Sequence, residues 1–303
     1  MVEQSYGRGV FYVLLAVLGW SLSGVFVRFL PDLSGWQINC WRGYWMSVAL
    51  LIYLVAAYGR DTPRRFSEIP LAGLVGAAFF FALGSTLYVT SLTYASTAVV
   101  SVIGALSPIF AGLMAPWIIG ERAGISAWIA AGMALIGVAV IGWDGLSSGT
   151  LIGLILSLGV PICFAGQTVM LRRYRAHDMM PAICIGGFAT FLIAGLFGGG
   201  FHVTLYEVLI LALMGPVQLA IPLIFYGKGA RSVPAVALSL IVMLDVILNP
   251  LWSWIGVGEK PGLSAFIGGA IIVAAVILCI LGERVFAFRA TLAARGRRAP
   301  QTG

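Results

Sequence analysis

Charge is scarce in this sequence: 10% of its 303 residues are Asp, Glu, Lys or Arg, against 60% hydrophobic. No soluble domain of this size covers so much apolar side chain with so few charges. Histidine and cysteine are equally sparse. The two histidines, His177 and His202, fall in connecting segments, so the serine and histidine pair that an intramembrane protease needs at membrane depth is missing. The four cysteines, Cys40, Cys163, Cys184 and Cys279, have no metal-type spacing, and three lie inside apolar runs; neither a metal site nor a disulfide framework is expected. Clustered aspartates and basic phosphate motifs, as prenyl-transfer or phosphatase chemistry would use, are also absent. These gaps argue against an enzyme and imply no cofactor.

What the chain has is long apolar blocks, with a mean hydropathy of +1.02. Ten can be read, near 10–29, 41–58, 69–92, 96–119, 127–143, 151–171, 180–199, 206–226, 234–255 and 263–281. Each approaches the roughly 20 residues that a helix needs to cross hydrocarbon. The reading is an all-α integral membrane protein with ten spans. The first block is read as a span rather than a cleaved signal, because the stretch before it is barely basic and Arg28 closes a full-length run. Disorder is expected only in the tail beyond about residue 288.

The formal charge of +7 is a topology signal rather than a nucleic-acid footprint. With ten spans, the termini share a side with the loops holding Arg60, Arg64, Arg65, Arg122, Arg172, Arg173, Arg175, Lys228 and Arg231, and with Arg8 and the five arginines after residue 283. Only Arg28, Arg42 and Lys260 remain for the other side. The positive-inside rule then predicts a multi-pass protein of the cell (inner or plasma) membrane with both termini cytoplasmic, and the Arg-rich tail can be drawn to anionic lipid.

The chain repeats itself. Shifted by 138 residues, Ser101 meets Ser239, Ile103 meets Ile241, Leu106 meets Leu244, Tyr88 meets Tyr226, and Gly120-Glu121-Arg122 meets Gly258-Glu259-Lys260 without a gap. Arg28, ending span 1, has a rough counterpart in Arg173, ending span 6. Each copy contains five spans, an odd number, so the second enters the membrane from the opposite side. Glu121 and Glu259 are thus expected on opposite faces, both stabilising tight turns. Inverted halves provide two nearly equivalent packings around a midplane site, an arrangement suited to a carrier. Glycines such as Gly132, Gly137, Gly268 and Gly269 read as close helix packing.

The paired stretches SPIFAGLMAPWIIGERAGISAWIAAG and VILNPLWSWIGVGEKPGLSAFIGG resemble the EamA domain. Two such domains in ten spans are similar to transporters of the drug/metabolite superfamily, at family level to amino acid and metabolite exporters. The resemblance implies two inverted five-helix EamA repeats, over 1–145 and 146–285, followed by a basic cytoplasmic tail, 286–303. It also implies that spans 1–4 and 6–9 surround a cavity, with spans 5 and 10 peripheral. There is one departure: Ser107-Pro108 has its mate in Asp245-Val246, which puts a charge where the family pattern is neutral.

Asp245 is the residue that most needs a reason, since a carboxylate near mid-span costs about 2.5–3.5 kcal/mol to insert on translocon scales. It is read as a proton-coupling and substrate-binding acid; the alternative is a structural Asp paired with an arginine or kept protonated among hydroxyls. Asn249 at i+4 and Trp252 at i+7 share its helical face. Trp20 and Ser23 in span 1, Tyr88 in span 3, Gln167 in span 6, and Gln218 and Tyr226 in span 8 supply further candidate substrate contacts, though each alone is also a plausible packing residue. Arg42, between Trp41 and Trp45, is either an arginine snorkelling from an aromatic belt or a vestibule residue that pairs with Asp245 or with a substrate carboxylate. Pro108, Pro161, Pro222 and Pro250 break hydrogen bonds within spans and mark hinges or site borders.

The expected function is secondary active transport of a small organic metabolite, an amphipathic amine, amino acid or nucleoside-like compound, by alternating access with proton coupling or exchange. An intramembrane enzyme or a channel is the alternative. The expected partners are the substrate and the bilayer, with no nucleic acid, and the protein is a monomer or a homodimer.

Overall fold

The structure, a computed structural model, describes residues 2–94, 100, 103–142, 151–198, 203–257 and 263–296. Among them there is no strand. A helix satisfies every backbone group within its own segment, which an apolar run without water requires. Six helical segments are long and apolar enough to cross a membrane: Tyr6–Val27, Gly35–Glu68, Leu71–Tyr88, Leu151–Arg173, Met180–Phe197 and Leu205–Ala230. Four shorter apolar helices, Ser107–Ile119, Ile125–Val140, Ala235–Leu248 and Phe266–Gly282, stand where spans 4, 5, 9 and 10 are expected.

In chain order the helices are α1 (Val2–Trp20), α2 (Ser23–Arg28), α3 (Gly35–Tyr58), α4 (Thr62–Glu68), α5 (Leu71–Tyr94), α6 (Ser107–Ile119), α7 (Ile125–Gly142), α8 (Leu151–Arg173), α9 (Met180–Phe197), α10 (Leu205–Met214), α11 (Ile221–Ala230), α12 (Ala235–Val242), α13 (Asp245–Val257) and α14 (Leu263–Gly296). A π-helical stretch, Gly215–Ala220, joins α10 to α11. Two helices begin at capping boxes: Ser34 with Gln37 opens α3, and Thr204 with Glu207 opens α10. Gly120, at φ +71, ends α6 in the left-handed conformation that glycine adopts without steric cost. α14 continues through Gly296, so residues 289–296 of the tail expected to be disordered are helical; the rest of that tail lies outside the described residues.

Spans 1, 4 and 9 are interrupted near their middles. α1 gives way to α2 at Ser21 and Leu22, α6 starts after a turn at Ala105 and Leu106, and α12 and α13 are separated by Met243 and Leu244. The last two breaks are repeat mates. In each the backbone tightens to i→i−3 bonds: Leu106 to Ile103 and Ile109 to Leu106 in one, Leu244 to Ile241 and Ile247 to Leu244 in the other, all 3.0–3.1 Å. Pro108 accounts for the first break, since its ring disfavours helix just before it. Val246 stands at the matching place in the second, and the break persists without that proline.

The two halves interlock, and mate helices run antiparallel. Along α3 and α9 the neighbours are Trp36 with Phe197, Gly43 with Gly187, Ser47 with Cys184 and Tyr58 with Asp178, one series ascending as the other descends. α7 and α14 do the same, with Gly137 against the Gly268 carbonyl and Ser126 against Gly282. Across the halves, α5 packs on α8, α1 on α11 and α6 on α12. Inversion of the second copy is therefore visible in the contacts themselves. Gly137 and Gly269 do allow close approach, whereas a Cβ on Gly132 would meet nothing within 4 Å, contrary to its expected packing role. All four cysteines are free and buried. Glu259 lies outside the described residues.

Candidate functional site

A cavity lies between α1, α3, α5, α8 and the π-helical stretch with α11. Four of the expected contact residues line it: Trp20, Arg42, Gln167 and Tyr226. Its wall is largely aromatic. The rings of Trp20 and Tyr226 stand 5.1 Å apart, those of Phe164 and Tyr226 6.0 Å, and those of Trp20 and Phe164 6.4 Å. Tyr226 is 1% exposed, and its hydroxyl lies 2.7 Å from Thr168 Oγ1. Thr168 donates its own proton to the Phe164 carbonyl at 2.8 Å, so Tyr226 is the donor of the shared bond. An α-helix could not place Gly19 so near Pro222 with a larger residue: a Cβ there would stand 2.4 Å from the proline ring.

Arg42 enters this apolar setting from the third turn of α3. One arm of its guanidinium donates to Asn39 Oδ1 at 2.9 Å, and Ser85 Oγ donates to the same oxygen at 2.7 Å. Asn39, i−3 from Arg42 and 1% exposed, thus aims the cation. Arg42 Nε and Asn39 Nδ2 remain buried without a partner, and so does Gln218 Oε1. Buried polar atoms in native proteins are nearly always satisfied, so this cluster of open valences calls for a ligand or water.

Asp245 is the first residue of α13, directly after the break, and its Oδ1 is buried without a hydrogen-bond partner. Among the described residues it has no ion pair, with Arg42 or any other cation. Tyr88 stands one turn beyond Gly84 on α5, on the face that lines the cavity, and lies within electrostatic reach of both Arg42 and Asp245. Tyr88 is 38% exposed, whereas its repeat mate Tyr226 is 1% exposed. The helix terminus adds partial positive charge beside the Asp245 carboxylate.

The other expected residues are used differently. Gln218 sits on the π-helical stretch, 4% exposed, and its Nε2 donates to the Trp20 carbonyl at 3.3 Å. Trp252 Nε1 donates to Ser21 Oγ at 2.8 Å, which braces α13 against the broken first span. Ser23 begins α2, just past that break. The side chain of Asn249 lies outside the described residues.

Residues 7–143 and 151–281 each match the EamA-like transporter family. The chain belongs to that family. Among curated proteins it is 25% identical over 247 residues to the "Uncharacterized transporter YdfC" of Bacillus subtilis (strain 168), covering 78% of each chain. It is 23% identical over 288 residues to the "S-adenosylmethionine uptake transporter" of Rickettsia prowazekii (strain Madrid E), covering 93% of this chain and 95% of that one. A solved crystal structure superposes on 91% of this chain and 98% of its own with a TM-score of 0.80, at 16% identity, and so shares the fold.

The cavity of this EamA transporter is shared by its two matched segments: Trp20, Arg42 and Gly84 come from the first, Gln167 and Tyr226 from the second. Beyond Tyr226 the bundle is tied shut. Arg172 donates through Nε to one oxygen of Glu121 at 2.7 Å and its Nη2 stands 2.5 Å from the other, while Nη1 donates to the Ala230 carbonyl at 3.0 Å. Arg173 adds a bond to the Ile118 carbonyl. Sequence reading missed Asn39 and Ser85. Asn39 carried a usable signal, a lone amide one turn before an intramembrane arginine; Ser85 resembled the many small residues of packed spans.

Proposed function

We propose that this EamA-family protein is a secondary active transporter of a small organic metabolite carrying both a cationic and an anionic group, working by alternating access. One observation carries the reading. Tyr88 and Tyr226 are repeat mates, yet Tyr88 is 38% exposed and Tyr226 is packed against Trp20, Phe164 and Thr168 at 1% exposure. Inverted halves exchange such roles when the carrier turns over, so sealed and open mates are what one state of a rocking bundle should present. By the arginine bias, the end with Tyr226 is cytoplasmic and the end with the exposed Tyr88 faces outward.

The charges suit a zwitterion. Arg42 is poised for a substrate carboxylate and Asp245 for an ammonium or other cation, and Tyr88 lies within electrostatic reach of both. The aromatic wall offers stacking or cation–π contact for the rest of the cargo. One relative's named cargo, S-adenosylmethionine, unites an amino acid, a cationic centre and a nucleoside, which supports this substrate class. A proton and a cationic substrate would compete for Asp245, since low-dielectric surroundings favour the neutral acid and a cation favours the carboxylate.

Proteoliposomes test this. Labelled amino acids and nucleoside-like amines should accumulate along an imposed pH gradient and show counterflow. Asp245→Asn should retain counterflow and lose the response to the gradient. A mutant that still follows the gradient removes Asp245 from coupling, and conductance without saturation would identify a channel instead.

A further inference from the structure

A second cavity lies apart from the central one, between the end of α3, the turn joining α8 to α9, and the end of α11. Its wall includes Tyr58, Arg175, His177, Asp178, Lys228 and Arg231. These residues come from three places in the sequence, and only folding gathers them.

The charge there is unbalanced. Arg175, Lys228 and Arg231 have exposed side chains, and among the described residues none has a carboxylate partner. Lys228 rests near two rings, its Nζ 5.8 Å from the centroids of Tyr12 and Phe225. The one acid of the wall is already engaged. Asp178 accepts from the Tyr58 hydroxyl at 2.8 Å through one oxygen and from the Met180 amide at 3.1 Å through the other. Three cations thus face one carboxylate, which accepts one hydrogen bond on each oxygen and helps to hold α9 against α3. His177 Nδ1 is buried beside them with no partner. An unsatisfied ring nitrogen in a cationic, polar-walled cavity points to a bound group rather than to packing.

We propose that this cavity binds a phosphate-bearing anion. A tetrahedral phosphate accepts several charge-assisted hydrogen bonds at once, which suits two forked guanidinium groups and an ammonium better than a lone carboxylate ligand does. Basic pockets between membrane helices at the cytoplasmic side recognise lipid headgroups by the same chemistry. The ligand is the phosphate group, supplied by an anionic lipid or by a soluble phosphate.

Native mass spectrometry of the full-length protein in neutral detergent tests the site, with phosphatidylglycerol, phosphatidylcholine and inorganic phosphate as separate probes. Retention of phosphatidylglycerol over phosphatidylcholine supports a lipid headgroup, and retention of phosphate supports a soluble anion. Lys228→Gln and Arg231→Gln should each weaken the retained probe by about fivefold, the effect of one basic side chain near anionic lipid. Lys228→Arg should bind as the wild type does, and so should Arg60→Gln, which removes an exposed charge from the same end outside the cavity. Equal retention of all probes by the wild type overturns the proposal, as does equal loss in Arg60→Gln and the cavity variants. If a cavity variant misfolds, competition of phosphate with phosphatidylglycerol on the wild type decides, and an absence of competition or preference overturns it.

Discussion

Arg172 and Glu121 join the two halves of the protein through a two-pronged ion pair at the sealed end of the bundle. Arg172 is 8% exposed and Glu121 lies at the turn after α6, so the arginine bears the greater cost of isolation. Removing one partner of a buried pair leaves the other charge uncompensated.

Glu121→Ala should therefore lower stability by about 3 kcal/mol, while Glu121→Ala combined with Arg172→Leu should recover part of that loss because no buried charge remains. Thermal unfolding in detergent measures both. A double variant less stable than Glu121→Ala would show that the bond from Arg172 to the Ala230 carbonyl, rather than the ion pair, holds this end.

The tyrosine mates should separate stability from transport. Tyr226→Phe deletes a buried donor bond to Thr168 and should cost about 1 kcal/mol. Tyr88→Phe touches no such bond and should leave the unfolding midpoint nearly unchanged while raising KM for transport. Equal stability losses in the two variants would contradict the sealed and open assignment.

Asn39→Ala tests how Arg42 is aimed. The guanidinium loses its acceptor at Asn39 Oδ1, and Ser85 loses the same one. Stability should fall by about 1–3 kcal/mol, and uptake should weaken by roughly tenfold or more. Asn39→Asp, which keeps the acceptor, should restore stability yet pair Arg42 with a fixed carboxylate and so compete with an anionic substrate group. Uptake that survives both changes would mean that Arg42 does not meet substrate.

Membrane orientation is open to thiol labelling, since all four native cysteines are buried. Arg122→Cys and Lys260→Cys occupy matching positions in the two halves and should react with an impermeant maleimide from opposite faces. Labelling of both from one face would end the inverted-repeat reading of topology.

Much of this architecture was legible without coordinates because its signals are one-dimensional. Apolar runs long enough to cross a membrane, the register that lays Tyr88 on Tyr226, and the paired GlyGluArg and GlyGluLys motifs are properties of order along the chain. Hydrocarbon forces such runs into helices whatever they pack against. An odd number of spans per copy implies inversion, and the antiparallel course of α3 and α9 agrees.

The site was only partly legible. Asp245, Arg42, Trp20 and Tyr226 stood out because charge and large aromatic rings are conspicuous in apolar spans. That Arg42 is held by Asn39 and Ser85, that Trp252 turns to Ser21, and that span 9 breaks directly before Asp245 without the proline of its mate depend on which helix faces meet. So does the gathering of Arg175, Lys228 and Arg231 around a common cavity. Order along the chain determined the helices, their duplication and their contrary sense; tertiary packing alone decided which valences stay open, because a hydrogen bond across helices depends on rotation and approach that no local pattern encodes.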